Sequence, residues 1–105
     1  MKFNDKVKKM YDKAAPAFGD SLDEPTRSML KSYCLISVQV DELNERIEKE
    51  GYLVDEGKGA RENPLVNIVH KMNADKARYF APLKRVLREE GNLESFEKAD
   101  KFMGY

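Results

Sequence analysis

The chain has 105 residues, of which 36% are charged, with 19 basic and 19 acidic side chains and no net charge. That length allows one domain with a modest core, burying roughly 65% of the unfolded surface, a size for which oligomerisation is a common source of added stability. The neutral total excludes a chain-wide electrostatic footprint for nucleic acid or membrane. The charge is nevertheless unevenly placed: residues 1–20 carry +2, 21–63 carry −4, 64–88 carry +5 and 89–105 carry −3. Such local polarity steers a polyanion to one face. Cys34 is the single cysteine, which rules out an internal disulfide and suits a reducing cytoplasm. No apolar run approaches the ~18 residues of a membrane span, and Met1–Lys13 lacks the apolar stretch of a signal peptide.

The first predicted element is a short helix over 2–18. Phe3, Val7, Met10 and Ala14 share one face, and Lys2, Lys6, Lys9 and Lys13 recur at the same spacing one step round. Pro16 and Gly19 end it.

The second is a long helix over 23–50. Asp23 is its N-cap, Pro25 sits in the first turn where a missing N–H does no harm, and Gly51 supplies the stop. Met29, Tyr33, Ile36, Val40, Leu43 and Ile47 follow a heptad seam. Leu30, Cys34, Leu35 and Val38 lie off that seam, so the first half of the helix needs a second partner. Either the N-terminal helix covers this face or a neighbouring subunit does.

Residues 51–63 form a connector. Tyr52-Leu53-Val54 has strand character and Gly57-Lys58-Gly59 is a turn signal, which predicts a short β-hairpin or an extended loop at the tip. Although Glu56 to Ala60 has the glycines and lysine of a phosphate loop, the full spacing of that motif is absent.

Asn63-Pro64 then opens a second long helix over 64–88, with Leu65, Ile68, Val69, Met72, Tyr79, Phe80, Leu83, Val86 and Leu87 as its apolar stripe. Pro82 falls inside it and predicts a kink near Arg78–Pro82 or two helices. Lys71, Arg78 and Arg85 repeat every seven residues opposite the stripe, flanked by Lys84 and Arg88, while Lys76 falls within the stripe. Residues 89–105 are acidic with scattered aromatics and form a short helix or a frayed tail. The expected architecture is mainly α, a single helical domain: a long antiparallel helical hairpin with a β-like tip and a short N-terminal helix across it.

No catalytic constellation is present. His70, the only histidine, has no Cys, His or carboxylate cluster at ligand spacing, and Cys34 has no recognisable base. The sequence therefore calls for no metal or cofactor. Each basic stripe has two readings: a solvated helix face, or a set of phosphate contacts that displace condensed counterions.

The run Leu30-Lys31-Ser32-Tyr33-Cys34 leads into a long charged helix ending Glu50-Gly51-Tyr52. A turn bearing Gly57 and Gly59 follows, and Asn63-Pro64-Leu65 opens the next helix. This order, over residues 5–90, resembles the small subunit of phage terminase, the DNA-packaging factor of tailed phages. The acidic stretch Glu89–Tyr105 departs from the family's usual close. The resemblance implies a non-catalytic, multimeric protein, often a ring, in the bacterial host cytoplasm. Such a protein binds double-stranded viral DNA near the packaging start and presents it to the large terminase subunit, which holds the ATPase and nuclease. The expected DNA contacts are then Lys2, Lys6, Lys9, Lys13, Lys71, Arg78, Lys84, Arg85 and Arg88. The expected oligomer interface is Leu30, Cys34, Leu35 and Val38. The different-class alternative is a structural or regulatory module that binds another protein through the helical hairpin, without DNA.

Overall fold

The computed structural model describes residues 2–55 and 59–102. Helix α1 spans Phe3–Ala14 and passes into a 3-10 segment, Ala15–Ser21. Helix α2 spans Glu24–Glu50, strands β1 and β2 span Leu53–Asp55 and Ala60–Glu62, helix α3 spans Pro64–Glu89 and helix α4 spans Leu93–Phe102. The mainly α architecture and the two-helix hairpin expected from the periodicity are what the chain adopts.

The capping chemistry sets the hairpin's bounds. The Asp23 carboxylate accepts the Thr26 N–H at 2.9 Å and starts α2. At the other end Gly51 adopts φ 91°, which a side chain would oppose, and its N–H donates to the Ile47 carbonyl at 2.7 Å. The Asn63 side chain accepts the Leu65 N–H at 3.1 Å and starts α3. Between the helices β1 and β2 pair antiparallel, Leu53 opposite Glu62 and Val54 opposite Arg61. Gly57 and Lys58 of the expected turn lie outside the described residues.

The core has two parts. The thick end joins α1, the 3-10 segment, α2, α3 and α4 around Met10, Phe18, Leu30, Tyr33, Cys34, Val38, Leu83, Leu87 and Phe96. The thin part, toward the β-hairpin, is the two-helix stalk, with Val40, Ile47 and Val69 buried and Leu43, Leu65, Val66 and Met72 against them. The outcome is an elongated body of 56 × 26 × 22 Å. Its radius of gyration, 16.1 Å, exceeds the ~13 Å of a compact chain this long.

Four expectations need correction or completion. The α-helical part of the first element ends at Ala14, because Pro16 and the following turns tighten the chain into 3-10 geometry. Helix α3 runs unbroken past Pro82, so the two-helix alternative does not form. The Arg78 carbonyl that loses its N–H partner to Pro82 belongs to an exposed residue, where water can serve it. Of the four residues expected at a subunit interface, Leu30, Cys34 and Val38 are fully buried inside the chain, covered by its own elements, and only Leu35 remains exposed. The acidic C-terminal stretch is a helix, not a frayed tail, as far as Phe102.

What anchors α4 is an aromatic cluster. The Phe96 ring lies edge-on to Phe18 at 5.8 Å, stacks on Phe80 at 5.7 Å and meets Tyr33 at 5.8 Å. The turn into α4 is tied to the 3-10 segment by the Asn92 N–H, which donates to the Ala17 carbonyl at 2.7 Å.

Candidate nucleic-acid interface

Helix α3 buries Val69, Leu83 and Leu87 and so turns the opposite side to solvent. Lys71, Arg78, Arg85 and Arg88 are all exposed on that side. A seven-residue step turns a helix by almost two whole turns, so Lys71, Arg78 and Arg85 line up over about 21 Å. Among the described residues, Lys71, Arg85 and Arg88 stand in no ion pair, whereas Arg78 is paired with Asp75 one turn earlier. Lys84 is half-buried, its ammonium 6.0 Å from the centre of the Phe80 ring, so it flanks the face without standing on it.

The positions between the basic residues are as important as the residues themselves. Ala74, Ala77 and Ala81 are exposed, and Lys71, Ala74, Arg78, Ala81 and Arg85 follow the 3-4-3-4 spacing of one stripe. Long cationic side chains thus rise from a floor of methyl groups, where a bulky backbone such as a phosphate chain can come close. The alanines attracted no attention as site residues in the sequence, because a small apolar residue signals neither core nor chemistry. Their interleaving with the basic repeat was the available sign.

The α1 stripe is weaker. Lys2, Lys9 and Lys13 are exposed, but Lys6 is half-buried and paired with Glu42 of α2 at 3.2 Å. Asp5 and Asp12 line the same surface groove as Lys8, Lys9 and Lys13. Carboxylates among the lysines cancel much of the field that an anion would meet. On α3, by contrast, Asp75 is the one carboxylate among residues 64–88, and Glu89 ends the helix one turn beyond Arg85.

Lys76 has a structural role. Its ammonium lies 5.5 Å from the centre of the Tyr33 ring, and its charge acts on Asp41 of α2. Burial, then the neighbouring Glu45, pushes the Asp41 carboxyl above its ordinary range, while Lys6 and Lys76 oppose the shift. Cys34 is buried and His70 is exposed. Among the described residues no group of three His, Cys, Asp or Glu side chains could hold a metal ion. No helix among them is long and apolar enough to cross a membrane. What the exposed face of α3 can do chemically is hold a polyanion.

Comparison with known proteins agrees with the family expected from the motif order. No curated protein and no solved structure matches the chain. The family model described as phage terminase, small subunit, matches residues 8–84, which include α2, the β-hairpin and α3 as far as Lys84 and leave α4 outside. The chain belongs to the phage terminase small-subunit family, which ties it to the packaging of phage DNA.

Proposed function

We propose that this chain is a non-catalytic small terminase subunit that binds double-stranded viral DNA through the exposed face of α3. It self-associates and helps recruit or regulate the large terminase subunit during genome packaging in the host cytoplasm. The observation that carries the DNA-binding part is the alignment of Lys71, Arg78 and Arg85 over exposed alanines, with Asp75 the one carboxylate among residues 64–88 and Glu89 at the end of the stripe. Phosphate contact through such a stripe needs no base-specific geometry and is strongly salt-dependent.

A duplex-DNA mobility shift tests the choice of surface. The combined variant Lys71→Glu, Arg78→Glu, Arg85→Glu is expected to bind at least about a hundredfold more weakly at low salt, since three contacts become three repulsions. The control Lys9→Glu, Lys13→Glu on α1 is expected to keep most of the affinity. Unchanged binding by the α3 variant removes this face from the account. Absence of duplex binding by the unaltered chain favours a protein-binding module instead.

A further inference from the structure

The side of the molecule formed by α1 and α2 carries an open groove of about 380 Å³, lined by Val7 and Tyr11 of α1 and Leu35 of α2. Leu35 is 42% exposed and belongs to the off-seam apolar face of α2 whose other members are covered from within. Lys8 and Lys31 also line the groove, the Lys31 ammonium standing 6.0 Å from the centre of the Tyr11 ring. Among the described residues that line it, none carries a carboxylate. An occupant of matching chemistry presents an apolar side chain with a carboxylate beside it.

Among the described residues one such surface is exposed. The large apolar residues exposed among them outside the groove are Tyr52, Leu53, Ile68 and Tyr79, with Tyr52 adjoining Leu53 in the chain. Ile68 shares its surface with Lys71, whose charge the groove lysines repel. Tyr79 sits with the Arg78–Asp75 ion pair, whose carboxylate is already engaged. Leu53, 66% exposed, stands directly opposite Glu62 across the β-hairpin. Directly opposed residues of an antiparallel pair point to the same face. Arg61, one position along, points to the other. Leu53 and Glu62 therefore form an exposed apolar–acidic pair, complementary to the apolar, lysine-edged groove.

The same copy cannot supply this occupant. Leu35 and Gly51 are separated by about 24 Å of rigid helix. We infer that the β-hairpin of one copy seats Leu53 and Glu62 in the α1/α2 groove of the next. The inference rests on the self-association in the function proposed above and gives it an interface. Groove and hairpin are different surfaces, so the contact generates a ring or an open chain when it runs head-to-tail and a closed two-fold pair when two copies make it reciprocally.

Mixing two singly substituted proteins under oxidising conditions tests it. Leu35→Cys mixed with Leu53→Cys is expected to give a cross-linked pair that neither protein forms alone; the native Cys34 is fully buried and stays out of the reaction. Lys8→Glu combined with Lys31→Glu is expected to lower the mass seen by light scattering, and Glu62→Lys in the same chain to restore it. A cross-link in Leu35→Cys alone, or a stable oligomer with no cross-link in the mixture, overturns the interface and leaves DNA binding by α3 untouched. A chain that stays monomeric at high concentration overturns both the interface and the self-association. Loss of DNA binding with the cross-link intact refutes the function and not the interface.

Discussion

Asn63 ends one element, starts another and holds the two long helices in register. It is 2% exposed, and its side chain accepts the Leu65 N–H while donating to the Gly51 carbonyl at 3.0 Å and the Glu50 carboxylate at 3.4 Å. Asn63→Ala removes a cap worth about 1 kcal/mol and strips the Gly51 carbonyl of a donor. A stability loss of about 2–3 kcal/mol is expected, measurable by urea denaturation. Asp41 makes the opposite case. Its carboxyl is shifted up from 3.8, first by burial and then by Glu45. The folded chain thus holds that proton more tightly than the unfolded chain, so ionised Asp41 subtracts from stability. The loss is absent well below pH 3.8 and complete above the raised folded value. Asp41→Asn is expected to raise the denaturation midpoint at pH 7, with the gain fading as the pH falls toward 3.8. A gain that instead grew with acidification would reverse the assigned sign.

At the scale of elements, the attachment of α4 depends on a close approach. A Cβ added at Gly91 would lie 2.8 Å from the Ala17 carbonyl oxygen and 3.2 Å from the Leu87 Cα, both backbone atoms that cannot swing aside. Gly91→Ala therefore forces the α3–α4 turn away from the 3-10 segment and weakens the Asn92–Ala17 hydrogen bond. An expected cost of about 1–3 kcal/mol follows from overpacking. Hydrogen exchange should show faster exchange concentrated in α4 and the 3-10 segment, with the stalk protected as before. Helix α2 needs no such device: its cap, its heptad seam and its glycine stop are all local. Helix α3 continues through Pro82, and the carbonyl left without a partner belongs to Arg78, an exposed residue.

At the scale of the whole molecule, what was legible in the sequence was what local chemistry specifies. Asp23-Glu24-Pro25, Gly51 and Asn63-Pro64 mark the ends of α2 and α3 wherever they occur, and the seam from Met29 to Ile47 says that a helix must lie against it. What was not legible required several elements at once. Phe96 sits in an acidic stretch that reads as solvated, and its burial depends on a socket built by Phe18, Tyr33 and Phe80 from three separate elements. The off-seam face announced that something covers it but not what, and the answer came from this chain's own packing around Leu30, Cys34 and Val38. The basic repeats on α1 and α3 were both visible, but the engagement of Lys6 by Glu42 was not, because the two meet only once α1 lies on α2. The central claim is that the α3 face meets phosphates, and the slope of log Kobs against log salt for duplex DNA tests it most directly. Each phosphate contact contributes about −0.9 to that slope, so Lys71→Gln, Arg78→Gln, Arg85→Gln together are predicted to make it shallower by roughly 2–3. An unchanged slope in that variant would contradict the account.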